Sequence, residues 1–238
     1  MKKENVKTVW IVTVFAIAMG FLEAAVVVYL RDLFYPAGFK FPILGFINPS
    51  ILGMEWLREF ATIVMLVTIG CLAAKKLYVR FAYFLYAFAI WDIFYYIFLK
   101  LALNWPSSFF TWDLLFLIPW PWIGPIIAPI VCSLFFIIIA CLIINFEDRG
   151  KVKRFSKMEW AGFIAATVLF LYSWLYDYGV LIFKNGFAKS FFTLQTNPKF
   201  IEMVSNYAPA RYNWVLFSIA VIITILSINS FYARNSRK

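Results

Sequence analysis

Six separate stretches of this chain, 9–30, 55–74, 81–103, 126–145, 159–183 and 214–232, are apolar over about twenty residues each. A bilayer core roughly 30 Å thick takes about 20 residues of helix to cross. A spanning barrel strand would instead alternate in polarity over about ten residues. The sequence therefore predicts an all-α polytopic membrane helix bundle with six transmembrane helices, forming a single integral membrane domain over 1–238. Composition agrees: 64% of the residues are hydrophobic and 14% charged, at a mean hydropathy of +0.83. Soluble domains carry about 25% charged residues. No internal repeat or low-complexity tract interrupts the pattern.

The net charge of +10 does not point to nucleic acid, because the basic residues form short clusters between the apolar runs. Lys2, Lys3, Lys7, Lys75, Lys76, Arg80, Arg149, Lys151, Lys153, Arg154, Lys157, Arg234, Arg237 and Lys238 all fall on one side of the predicted topology. Those fourteen of the 22 basic residues place both chain ends in the cytoplasm by the positive-inside rule. The opening MKKENVK and its apolar run resemble a signal peptide. The run is too long, contains Glu23 and lacks a small-residue cleavage site, so a retained first helix is expected. Cys71, Cys132 and Cys141 fall inside spans without a C-x-x-C and read as small buried hydrophobes. The chain has no histidine, which excludes His-ligated haem and zinc and any Ser-His or Cys-His pair. It has no P-loop, and no motif specifies a cofactor.

The outward segments are 31–54, 104–125 and 184–213. Gly38, Gly45 and Gly53, with Pro36, Pro42 and Pro49, make the first irregular. In the second, Ser107, Ser108 or Thr111 could cap a short helix through Ile118 that Pro119 and Pro121 end. This reads as a re-entrant or interfacial half-helix on the outer side. The alternative is an extended loop whose Trp105, Trp112, Trp120 and Trp122 form an aromatic belt. In the third, Asn197 caps a short surface helix with Pro198 in its first turn.

Charges within the spans carry most of the functional information, since an ionisable group in a membrane is costly and by default marks a site. Glu23, Glu59, Asp92 and Asp177 come from four different spans and lie at similar depths toward the outside. Asp92, Tyr96 and Lys100 recur every four residues on one helix face. Arg31, Arg58 and Asp113 are placed at the mouth. The ligand-pocket candidates are thus Glu23, Arg31, Glu59, Asp92, Tyr96, Lys100, Asp113 and Asp177, enclosing an outward-open cavity with aromatic walls. A purely structural account would pair Glu59 with Arg58, Asp92 with Lys100 and Glu23 with Arg31. Ala16, Gly20 and Ala24 form a small-residue face for close helix packing.

The segments EAAVVVYLR (23–31), WDIFYYIFLK (91–100) and TWDLLFLIPWPWIGP (111–125) resemble signatures of a family of small bacterial inner-membrane proteins. That resemblance implies a bacterial inner (cytoplasmic) membrane and brings no activity with it. The six-span architecture is also similar to that of the substrate-binding subunits of energy-coupling-factor transporters. It implies a partner membrane subunit supplying ATP hydrolysis, docked on the Ala16–Gly20–Ala24 face.

Three functions fit these features. The first is binding or transport of a small cationic or flat solute, favoured by the excess of carboxylates and by aromatic rings. The second is an intramembrane enzyme acting on a lipid or isoprenoid. There Asp92 beside Lys100 would be the base and Glu23 or Asp177 the acid. In a variant of this reading Glu23, Asp92 and Asp177 hold Mg²⁺ on a lipid diphosphate, although no motif-level metal site is present. The third is a structural accessory subunit or homo-oligomer.

Overall fold

The computed structural model describes residues 3–42, 48–188, 194 and 197–236. Gly45, Lys2, Arg237 and Lys238 lie outside them. Six long helices carry the fold: α1 (Lys3–Phe34), α2 (Pro49–Ala73), α3 (Leu77–Leu103), α4 (Ile127–Asp148), α5 (Lys157–Lys184) and α7 (Trp214–Ser236). Each is long and apolar enough to cross a membrane. Between α5 and α7 lies the short α6 (Pro198–Ser205). As the sequence indicates, Asn197 Oδ1 accepts hydrogen bonds from Lys199 N and Phe200 N at 3.1 and 3.4 Å, with Pro198 opening the helix.

Helix α3 is the hub, packing against α1, α2 and α4, while α5 pairs with α7. The α1–α3 seam runs along the small-residue face. Ala16 and Ala24 are buried, and a Cβ added to Gly20 would lie 2.9 Å from the Trp91 carbonyl oxygen. That face is therefore filled by α3 and is not an open docking surface. A second close approach joins α2 to α3, where a Cβ on Gly70 would meet the Arg80 carbonyl oxygen at 2.9 Å. The largest apolar cluster gathers Val12, Leu66, Tyr83, Ile143 and Phe231 from five helices.

Polar ties lace the lysine- and arginine-rich end of the bundle. Asn5 bonds Asp148, and Lys76 Nζ pairs with Glu147 at 2.5 Å. Glu159 closes a capping box with Ser156 and also accepts from Ser230 Oγ at 3.0 Å and Arg234 Nη2 at 2.7 Å.

The predicted half-helix over 107–118 is not formed. An antiparallel hairpin stands there instead, β1 (Trp112–Phe116) and β2 (Trp122–Pro125), pairing Asp113 with Gly124 and Leu114 with Ile123. Three local causes favour it. The Ser and Thr hydroxyls close a turn among themselves: Thr111 Oγ1 accepts from Ser108 N at 3.1 Å, and Ser108 Oγ accepts from Phe110 N at 3.2 Å. Aromatic and branched residues suit a pleated ribbon. Pro119 and Pro121 fall in the connection, where a missing N–H breaks no ladder. Two of the four outer tryptophans hold the hairpin in place. Trp120 Nε1 donates to the Leu175 carbonyl (3.2 Å) and Trp122 Nε1 to that of Ile118 (2.8 Å), while Trp122 stacks on Trp174 at 5.8 Å. These rings bind the hairpin to α5.

Candidate functional site

A cavity of about 120 Å³ lies between α1, α2, α3 and β1, at the end of the bundle away from the basic turns. Helical spacing explains its walls. On α1, Glu23, Val27 and Arg31 recur every four residues and all face it. On α2, Glu55, Arg58 and Glu59 share one face, and on α3 Trp91, Asp92, Tyr95 and Tyr96 do so. The hairpin contributes Asp113 and the backbone through Leu117.

The two guanidinium groups are both engaged. Arg58 bonds Glu23 across to α1, and its Nη2 lies 2.6 Å from Glu55 Oε2 on its own helix. Arg31, in the last turn of α1, donates from Nη2 to Asp113 Oδ1 at 3.2 Å. Its guanidinium carbon lies 3.7 Å from the centroid of the Trp105 ring and 4.4 Å from that of Phe39. A position over aromatic faces suits the delocalised charge of Arg.

Two further carboxylates have no ion pair among the described residues. Glu59, 6% exposed, accepts a 2.9 Å bond from the backbone N–H of Leu117. This hooks the end of β1 onto α2 and satisfies an N–H that would otherwise be stranded at depth. Asp92 accepts from Ser133 Oγ on α4 at 2.8 Å. Asp113 is 1% exposed, and burial pushes its carboxyl up to about 6 despite the Arg31 charge beside it.

Of the eight pocket candidates, Glu23, Arg31, Glu59, Asp92, Tyr96 and Asp113 line this one cavity. Lys100 and Asp177 do not. Lys100 is exposed and turns away to donate from Nζ to the carbonyls of Asn104 (3.2 Å) and Pro106 (3.0 Å), capping the C-terminus of α3. Asp177 is half-buried on α5, with its charge near Tyr207. The expected pairings are redrawn: Glu23 goes to Arg58 rather than Arg31, Arg31 goes to Asp113, and Asp92 meets a hydroxyl rather than Lys100. Among the described residues no three His, Cys, Asp or Glu side chains converge to hold a metal ion. The Glu23–Asp92–Asp177 set for Mg²⁺ is thus not assembled. Sequence reasoning left Glu55, Trp91 and Tyr95 out of the pocket. The i, i+4 relations Glu55–Glu59 and Trp91–Tyr95, flanking residues already singled out, were the available signal.

The cavity thus sets five carboxylates, Glu23, Glu55, Glu59, Asp92 and Asp113, against two arginines, with Trp91, Tyr95, Tyr96 and Phe39 as aromatic wall. No protein-family model, curated protein or solved structure matches this chain. What fold and site define is a class: a multi-pass, six-helix integral membrane protein with an acidic, aromatic cavity near one end of its bundle.

Proposed function

We propose that the protein binds a small solute bearing an ammonium group in this cavity and serves its transport across a bacterial inner membrane. The observation that carries this reading is that Glu59 and Asp92 face the same cavity with no cation paired to either among the described residues. An unpaired carboxylate in a membrane is expensive, and a bound cation between aromatic rings offsets that cost. The volume suits a ligand of a few heavy atoms or a headgroup. The clustering of basic residues at the opposite end supports cytoplasmic chain ends and a cavity facing outward.

The test is isothermal titration of the purified protein with ethanolamine against ethylene glycol as a neutral counterpart. Ethanolamine is expected to bind and the diol not to. Asp92→Asn keeps an acceptor for Ser133 and should weaken ethanolamine by about tenfold or more. It should leave unfolding stability unchanged or slightly raised, as happens when a costly functional charge is removed. A loss of about 3–5 kcal/mol in stability would instead identify Asp92 as one half of a structural ion pair.

A second reading, an intramembrane enzyme acting on a lipid or isoprenoid, draws on one observation. Asp92, Asp113 and Tyr96 line the same cavity, so two carboxylates in unlike surroundings share its wall with one hydroxyl. Turnover of a co-purifying lipid, abolished by Asp92→Asn, would favour it over transport.

A further inference from the structure

Two buried hydrogen-bond donors that line the cavity have nothing among the described residues to donate to. Arg31 and Trp91 are each 7% exposed, yet Arg31 Nη1 and Trp91 Nε1 find no acceptor among the described residues. Arg31 spends only Nη2 on Asp113, through a single contact rather than the two-pronged fork a guanidinium can make with a carboxylate. Its guanidinium is held over Trp105 and Phe39. A buried donor left unmade forfeits its hydration with no return, so two of them in one cavity are a strong demand for an acceptor. Of the nearby carboxylates, Glu59 takes a backbone N–H, Asp92 takes a hydroxyl, and Asp113, whose Oδ1 holds Arg31 Nη2, keeps Oδ2 without a donor among the described residues.

We propose that Arg31 and Trp91 form an anion-binding half of the cavity, and hence that the ligand is a zwitterion. Its ammonium faces Glu59 and Asp92, and its oxyanion, a carboxylate or a phosphate, accepts from Arg31 Nη1 and Trp91 Nε1. The ammonium half rests on the function proposed above; the anion half stands on the two unmet donors. One chemistry, an amine joined to an oxyanion, is shared by a free solute and by an amine-bearing phospholipid headgroup.

The test titrates the full-length purified, delipidated protein with ethanolamine, phosphoethanolamine, β-alanine and sodium acetate. Phosphoethanolamine or β-alanine is expected to bind about tenfold or more tightly than ethanolamine. Arg31→Gln should bring the zwitterion down to parity with ethanolamine. Trp91→Phe removes the other donor with little change of volume, and should narrow the gap even if Arg31→Gln fails to fold. Equal affinity of ethanolamine and both zwitterions in the wild type overturns the inference and leaves the cation reading standing. Acetate binding that Arg31→Gln abolishes, with no response to ethanolamine, keeps the anion half and overturns the cation reading instead. Silence from all four probes overturns both. Native mass spectra taken before delipidation identify the source. Stoichiometric phosphatidylethanolamine lost in Arg31→Gln supports a headgroup, and retention of a small zwitterion supports a solute.

Discussion

Replacing Gly20 by Ala adds one methyl group at the tightest point of the α1–α3 seam. The new Cβ would lie 2.9 Å from the Trp91 carbonyl oxygen, 3.2 Å from Phe94 Cβ and 3.2 Å from Tyr95 N. Ordinary carbon contacts begin near 3.5 Å. Two of the three neighbours are main-chain atoms of α3, which cannot step aside by changing rotamer. The helices must separate by a few tenths of an ångström, and overpacking of this kind costs about 1–3 kcal/mol. Against it stands the gain from replacing a helical glycine, up to about 1 kcal/mol. The net expectation is a loss of about 1–2 kcal/mol. Gly53→Ala on α2 serves as the control, since a Cβ there meets nothing within 4 Å, and only the gain should register. Reversible unfolding in mixed micelles, followed by tryptophan fluorescence, measures both. Because Trp91 and Tyr95 line the cavity, Gly20→Ala should also weaken ligand binding while Gly53→Ala does not. If Gly20→Ala proves as stabilising as Gly53→Ala, the close backbone contact between α1 and α3 is refuted.

Two other perturbations read different parts of the fold. Asp113 holds its proton more tightly when folded, near 6 against an ordinary 3.8, so its contribution is fully present below about pH 4. That stability is lost as pH rises through about 6, by on the order of 3 kcal/mol, and Asp113→Asn should flatten the wild-type slope of melting midpoint against pH over that window. A wild-type midpoint that rises with pH across the window would contradict the buried setting of this carboxyl. At the opposite end, Glu159→Ala removes the capping-box partner of Ser156 and leaves Arg234 unpaired. It should lower stability by roughly 2–3 kcal/mol without changing ligand affinity, which a titration of the variant checks.

The helices were legible because membrane burial writes itself as continuous apolarity. The predicted stretch 214–232 and the observed α7 start at the same residue, and the Asn197–Pro198 cap was read residue by residue. The hairpin was not legible. Its Ser-Thr cluster serves a turn as readily as a helix cap, and a run of Trp, Phe, Leu and Ile fits a ribbon as well as an interfacial helix. Depth of charge located Glu23, Glu59 and Asp92 in the cavity, because those three share the α1–α3 side of the bundle. Depth alone could not exclude Asp177, because it says nothing about which helices are neighbours. Pairing failed for a related reason. Glu23 with Arg31, and Asp92 with Lys100, are eight residues apart on one helix, about 12 Å along the axis. Partners from other elements lie closer than that.

The hairpin has two sets of neighbours, and they come due at different moments in the making of the chain. To the first, around the cavity, it supplies Asp113 and Leu117, and the lining residues outside the hairpin have all been synthesised by then. The second is α5, where Gly124 lies against Trp174 and Trp120 donates to Leu175. Every described residue that lines the cavity is encoded before position 118, yet the α5 neighbours of the wall carrying the last of them come about sixty residues later. During synthesis the cavity therefore stays an unfinished groove through the insertion of four helices, and the fifth, which contributes no lining residue among those described, completes it.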